Sequence, residues 1–293
     1  MKTCSERYFM KSVDIILPTY NSENLIRNSL NSIFQNKYEN FRVIIFDDAS
    51  RDATVEIIGE YQEKYPGKIL LSINKKNVGI TENAQKCLNA TTADIVMFSA
   101  HDDLFYSNKI STCVKAFEDN PNATLIYHDC DVLVDGNFEM KFSETHSPRE
   151  GEAWNYLLYG CFSTGPSICV DGSVVRAIGY NPTIKNTSDF LLFYEVAKRG
   201  SIRYIPQVLG AYCRHGANQS SVIRNTEDFD SIKVSLYILE YYKEDRLAAI
   251  INLNWTLLKL FSKNKKHLLF YLASPFISVF WIILQKYGKK RIR

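Results

Sequence analysis

Asp94-Ile95-Val96-Met97-Phe98-Ser99-Ala100-His101-Asp102-Asp103 is a short apolar run that stops at two adjacent carboxylates. A run of this length bounded by polar residues reads as a buried strand. Two neighbouring aspartates at its end would repel each other in a low-dielectric crevice. A hard divalent cation between them and an anionic ligand, most naturally a diphosphate, relieves that repulsion. The plainer alternative is that one aspartate caps a helix starting near Ser107 and the other is solvated.

The chain around this strand has 293 residues, 46% hydrophobic and 23% charged, which is ordinary globular material with enough apolar residues for a core. A net charge of +3, with much of the basic excess near the C-terminus, does not suggest nucleic-acid binding. Seven cysteines (Cys4, Cys87, Cys113, Cys130, Cys161, Cys169, Cys213) contain no CxxC pair, so neither a zinc site nor a disulfide framework is expected. Several sit among apolar residues and are expected to be packed thiols. The N-terminus, MKTCSERYFMKS, lacks a signal-peptide core, and a cytoplasmic chain is expected.

Apolar runs alternate with amphipathic segments from Val13 onward. The strand Val13 to Leu17 is halted by Pro18-Thr19-Tyr20-Asn21, and Ser22 is placed to cap a helix whose Leu25, Ile26, Leu30, Ile33 and Phe34 share one face. Phe41 to Phe46 is a second strand ending at Asp47-Asp48, followed by a helix that Pro66-Gly67 breaks. Ile69 to Ile73 is a third strand, and after Asn74 to Gly79 a helix from about Thr81 to Ala90 leads to the strand at Asp94. This βαβαβαβ order predicts a doubly wound, mostly parallel, Rossmann-like α/β sheet. Ligands of such sheets bind beyond the carboxyl ends of the strands, where all four segments carry unusual polar chemistry. The chain has no GxGxxG and no GxxxxGK[ST], so diphosphate charge is expected to be met by a metal.

These residues resemble family 2 glycosyltransferases of the GT-A fold over roughly residues 12–220. Pro18-Thr19-Tyr20-Asn21 matches the family's P-x-Y-N, Asp47-Asp48-Ala49-Ser50-Arg51-Asp52-Ala53-Thr54 matches DDxSxDxT, and Asn77-Val78-Gly79 with Asn83 matches NxGxxxxxN with a shorter step. The resemblance implies that Pro18, Thr19, Tyr20, Asn21, Asn77, Gly79 and Asn83 line the nucleotide-sugar site and that Asp48 hydrogen-bonds the base. It implies that Asp103 ligates Mn2+ or Mg2+, with Asp102 facing the ribose or the metal's water shell. His101 stands where a literal D-x-D has its first carboxylate.

In the second half, Ser188-Asp189-Phe190-Leu191-Leu192, Gly200, Tyr204-Ile205-Pro206, Leu209 and Tyr212-Cys213-Arg214-His215 resemble the family's acceptor-side pattern ED-x-x-L…G…YIP…L…YR-x-H. Asp189 is then the candidate general base, since an acceptor hydroxyl must lose its proton as it attacks the anomeric carbon. The alternative is that Asp189 caps the apolar-faced helix that runs to Lys198. The resemblance makes His215 a metal or diphosphate contact and sets Arg214 on the acceptor and diphosphate side. The resemblance also implies that Thr164-Gly165-Pro166-Ser167, after a tryptophan-containing helix expected at Glu152 to Tyr159, lines the floor where donor and acceptor meet, although Gly-Pro is also generic turn chemistry. Asp129 and Asp131 have no assigned role.

After residue 220 a helical extension is expected to residue 262, with helices at Phe229 to Tyr242 and Ala248 to Phe261. Leu268 to Leu284 then carries no charge, is interrupted by Pro275, and falls just short of the roughly 20 residues of a spanning helix. Lysines and arginines flank it on both sides, from Lys263 to Arg293, which favours an interfacial or re-entrant segment on the cytoplasmic membrane face. A buried or dimer-forming helix is the alternative. Together these features predict an inverting transferase that moves a sugar from a nucleoside-diphosphate sugar, first a UDP-sugar, to a saccharide acceptor, lipid-linked if the tail is an anchor. A sugar-phosphate nucleotidyltransferase and a non-catalytic binding or scaffolding subunit are the competing readings.

Overall fold

Side chains alternate across a strand, so a strand apolar at every position must be covered on both faces. The computed structural model, which describes residues 10–154, 157, 162–215 and 224–263, bears this out. Strands β1 (Val13–Thr19), β2 (Phe41–Asp47), β3 (Ile69–Ile73) and β4 (Ile95–Phe98) pair in parallel in the order β3-β2-β1-β4. Ile15, Leu17, Val43, Ile45, Ile95 and Met97 pack into one core with helices α1 (Ile26–Phe34), α2 (Thr54–Lys64) and α4 (Lys109–Asp119). Ile16, Ile44, Val96 and Phe98 pack into another, against α3 (Ile80–Asn89) and the helices of the second half.

Beyond β4 the sheet is mixed, not mostly parallel as the repeating pattern predicts. β8 (Ile168–Asp171) inserts antiparallel between β4 and the long β6 (Ala123–Val134), β6 pairs in parallel with β9 (Ser201–Arg214), and β5 (Leu104–Phe105) closes the edge antiparallel to β9. β6 also pairs antiparallel with β7 (Asn137–Lys141), to which it is joined by Asp135-Gly136, both at positive φ (48° and 82°), the backbone of a two-residue hairpin.

Three local expectations change. Ser22 does not cap α1: Leu25 is the N-cap, while the Ser22 hydroxyl donates to the Tyr20 carbonyl at 3.1 Å and the Ser22 carbonyl accepts from Leu25 and Ile26. Asp189 is not the N-cap, a position that Thr187 holds ahead of α6 (Ser188–Ala197), although its carboxylate does accept from the first-turn amide of Phe190. The helices expected at Phe229 and Ala248 begin earlier, as α7 (Arg224–Tyr241) and α8 (Arg246–Lys263), with α5 (Gly172–Ile178) preceding α6. Val234, Ile238, Leu239, Ala249 and Leu253 of α7 and α8 belong to the same core as Ile16, so the helical extension is packed onto the sheet rather than appended to it. Cys87, Cys113, Cys130 and Cys169 are buried free thiols, as expected.

Half of the helix expected at Glu152 to Tyr159, and the tail after Lys263, lie outside the described residues. Among the described residues, no helix is long and apolar enough to cross a membrane.

The β5–β9 edge leaves no room for a side chain at Gly210, where a Cβ would lie 2.5 Å from the Leu104 carbonyl oxygen. Gly210→Ala must therefore move one strand. We expect it to destabilise the fold by about 1–3 kcal/mol in urea unfolding, and wild-type stability in that variant would refute the close approach.

Candidate functional site

The carboxylates that end β2 are spent on neighbouring loops. Asp47, fully buried, accepts from the Ser50 amide (2.8 Å), the Ser50 hydroxyl (2.6 Å) and Thr19 Oγ1 (3.1 Å), which closes the turn after β2 against the end of β1. Asp48 accepts from Asn74 Nδ2 (2.9 Å), the Val78 amide (2.8 Å) and the Gly79 amide (2.9 Å), so it holds the loop that leads into α3. Asn83 extends this network, accepting from Asn74 Nδ2 at 2.8 Å and donating to the Phe46 carbonyl at 2.7 Å. Asn21, at φ 47°, donates its amide to Ser50 Oγ and accepts from the Arg51 amide, locking the loops after β1 and β2 together. Tyr20 and Asn77 remain exposed on this rim.

At the end of β4 the adjacent aspartates have different surroundings. Asp103 is 2% exposed, and its Oδ1 accepts from the Cys213 amide at 3.2 Å. Burial, then the charge of Asp102, push its pKa well above the usual carboxylate range, and the Cys213 amide and Lys109 oppose that shift. Lys109 is itself fully buried beneath the site; it donates to the Pro166 carbonyl at 2.5 Å and sits over the Phe105 ring, 3.3 Å from its centroid. Asp102 lies nearer the surface, with its Oδ2 3.1 Å from His215 Nε2. Thus the geometry pairs His215 with Asp102, whereas the family resemblance assigns the metal to Asp103. Burial lowers the pKa of the neighbouring His101.

A divalent cation fits the Asp102–His215 pair. Two ligand atoms each about 2.1 Å from an octahedral ion lie about 3 Å apart, and carboxylate with neutral imidazole is a donor set that such ions accept. No cluster of three or more His, Cys, Asp or Glu side chains suited to a metal occurs among the described residues, so a diphosphate and water would have to complete the shell.

The other wall comes from the second half of the chain. Asp189 lies in the first turn of α6, where its Oδ1 accepts from the Phe190 amide at 2.8 Å. Solvent reaches this carboxylate through the mouth of a concave site, yet the protein surrounding it raises its pKa by desolvation. Tyr180 is close enough for the charge of Asp189 to add to the burial that raises its own pKa. A pocket of about 170 Å3 joins the two walls: Pro18, Ser99, Asp103 and Gly165 face Tyr180 and Asp189 across apolar sides that include Phe98 and Phe193.

Pro18, Asp103, Gly165 and Asp189 therefore meet in one cavity, and Asp102 with His215 flanks Asp103. Thr164 is buried, with its hydroxyl directed to Cys130 Sγ at 3.4 Å, and Arg214 is exposed over the Tyr212 ring. Asp129 and Asp131 are structural. Asp129 accepts from the Cys130 and Ser143 amides and the Ser143 hydroxyl, and Asp131 from the Tyr106 hydroxyl. Sequence reasoning missed Lys109 and Tyr180. Lys109 was legible in part, since it falls with Cys113 and Phe117 on the buried face of α4. Tyr180 carried no signal.

Residues 14–172 match the glycosyl transferase family 2 profile, more than half of the chain, and the protein belongs to that family. An uncharacterised glycosyltransferase of Haemophilus influenzae is 25% identical over 236 residues, 78% of this chain and 76% of that one. The chain spans 59% of the length of its mycobacterial relatives. Among solved structures, S. aureus TarS 1–349 in complex with UDP-GlcNAc superposes with a TM-score of 0.67 at 18% identity, covering 86% of this chain and 73% of TarS. Mannosyltransferase PcManGT of Pyrobaculum calidifontis, in complex with GDP-Man and Mn2+, superposes with a TM-score of 0.61 at 16% identity over 97% and 83% of the two chains. At these identities the superpositions establish the fold. The chain is a glycosyltransferase, and family membership sets aside the nucleotidyltransferase reading.

Proposed function

We propose that the protein is an inverting, metal-dependent transferase that moves a sugar from a nucleoside-diphosphate sugar, first a UDP-sugar, to an acceptor hydroxyl. The observation that carries the proposal is the shared pocket, in which the diphosphate-side carboxylate Asp103 and the candidate base Asp189 face one cavity. Donor complexes of TarS and PcManGT support a nucleotide-sugar ligand, and the Mn2+ of PcManGT supports a divalent cation. Asp189 takes the proton of the acceptor hydroxyl as its oxygen bonds to the anomeric carbon and the bond to the diphosphate breaks, a direct displacement that inverts the centre. Asp102 and His215 would hold the cation, which when bound would supply positive charge to the leaving diphosphate. Asp48 has already accepted three hydrogen bonds and keeps about one lone-pair site for the base.

The tail at residues 263–293 extends the proposal to a lipid-linked acceptor at the cytoplasmic membrane face, as in surface polysaccharide synthesis. It rests on the uncharged run Leu268 to Leu284 and its basic flanks. In flotation with liposomes containing anionic lipid, the full chain should float and a chain ending at Ser262 should not. A full chain that stays with the soluble fraction would remove this extension and leave the transferase reading intact.

Calorimetry with UDP in the presence and absence of Mn2+ tests the cation site. Asp102→Asn and His215→Ala should each reduce the Mn2+-dependent gain in affinity by about tenfold or more, as expected for loss of a metal ligand. An undiminished gain in both variants would rule out the pair as ligands.

The base is tested by turnover on a panel of UDP-, GDP- and dTDP-sugars, read as donor cleavage. Asp189→Asn should lower kcat by about 10²–10⁴ with donor affinity near wild type. Because only the ionised carboxylate accepts a proton and desolvation by the surrounding protein raises its pKa, kcat should fall as pH decreases through a value above the ordinary Asp range of about 4. Asp189→Asn should lose that acid limb. Survival of kcat within a few-fold would move the base elsewhere, and a wild type that cleaves no donor would favour a binding subunit.

A further inference from the structure

The loop that delivers Asp189, residues 179–188, has few backbone partners of its own and hangs between two helices. On one side α3 holds it: Thr81 Oγ1 is within 3.0 Å of the Ile184 carbonyl and 2.6 Å of the Lys185 carbonyl, and Gln85 Oε1 accepts from the Tyr180 amide at 2.5 Å. On the other side stands Asp230 of α7, only 3% exposed. Its Oδ2 accepts from the Asn186 amide at 2.8 Å and from Asn186 Nδ2 at 3.2 Å. Its Oδ1 accepts from Lys233 Nζ at 2.9 Å, and the same ammonium donates to the Thr183 carbonyl at 3.1 Å. Hydrogen bonds to a buried ionised carboxylate are among the strongest available to a loop. Asn186 lines the pocket with Asp189, three residues on.

We infer that Asp230, with Lys233, is a positioning latch through which the C-terminal helix α7 sets the loop carrying the candidate base. It touches neither the donor nor the reacting atoms and acts through Asn186. The far end of α6 is tied to the same helical pair. Tyr194 donates to Asp245 at 2.6 Å, Lys198 bridges Asp245 and Glu244 at 2.5 and 2.7 Å, and Tyr242 donates to Glu195 at 2.6 Å. Both ends of the base-bearing helix are therefore held by residues 230–245, well beyond the matched segment 14–172. The ionised state suits the role: hydrogen bonds from Lys233 and Asn186 outweigh burial and keep the Asp230 pKa below its ordinary value. On this view the helical extension is part of the catalytic machinery's frame, and the division drawn near residue 220 from the fading sequence pattern is not a functional boundary.

The proposal rests on the reading of Asp189 as base, but its first test does not. In hydrogen–deuterium exchange on the full chain, Asp230→Ala should speed exchange of peptides covering 181–193 by about tenfold or more. Peptides covering 41–48 and 95–98 should stay within about twofold of wild type. Calorimetric binding of UDP with Mn2+ should be unchanged. With the donor that the panel identifies, kcat should fall at least tenfold with donor KM near wild type, and Asp230→Asn, which keeps one acceptor for the Asn186 amide, should recover part of the loss. Should Asp230→Ala fail to fold, Lys233→Met replaces it with the same readouts. Unchanged exchange at 181–193, or a rise spread evenly over the chain, overturns the latch. A normal kcat in Asp230→Ala beside a large loss in Asp189→Asn overturns the latch alone, whereas normal turnover in Asp189→Asn overturns the base reading and leaves the exchange result to judge the latch.

Discussion

A carboxylate buried directly beside another carboxylate is the constraint around which the site is built. Asp103 cannot stay ionised in a low-dielectric environment without compensation, and its neighbour Asp102 adds to the cost. The fold responds with the Cys213 amide and with Lys109, a cation that is buried as deeply and needs partners of its own, found in the Pro166 carbonyl and the face of Phe105. That chain of compensation links the end of β4, the start of α4, the turn at Gly165–Ser167 and the end of β9. It also explains why the outer aspartate is the one that meets His215, and why the turn at Gly165–Ser167 is held from below.

Several other acidic residues hold the frame. Asp47, Asp48, Asp129, Asp131 and Asp230 each accept hydrogen bonds from a neighbouring loop or side chain. Asp102 and Asp189 lie where a ligand can reach them. Buried carboxylates serve well as loop anchors because one group with about four lone-pair sites can satisfy several backbone amides that would otherwise be orphaned. A glycosyltransferase that must present long polar loops beyond its strand ends needs many such anchors, and acidic character alone therefore does not mark catalysis here.

Helix α6 illustrates how the second half completes what the first half begins. Its Leu191, Phe193 and Val196 lie in the same core as Phe98 and the C-terminal helices, with Phe98 and Phe193 edge to face at 4.9 Å. The contacts fix the height of the helix over the sheet, and the loop before it fixes the direction of its first turn. Residues distant in sequence thus converge on one pocket of about 170 Å3.

The sequence by itself determined the four parallel strands, the helices between them and the polar strand ends, because these are local patterns: continuous apolar runs, helical spacing and breakers such as Pro66-Gly67. The motifs at Pro18, Asp47 and Asp189 were legible for the same reason. The antiparallel insertion of β8 and the edge pairing of β5 join segments distant in sequence, which no local pattern announces. Tertiary structure alone decided which of two adjacent aspartates is buried, that Asp48 and Asn83 are already engaged by the protein, and that Asp230 reaches the loop before Asp189. Those outcomes depend on which amides and cations distant segments bring within about 3 Å of a carboxylate, and in a single sequence no spacing rule encodes that proximity.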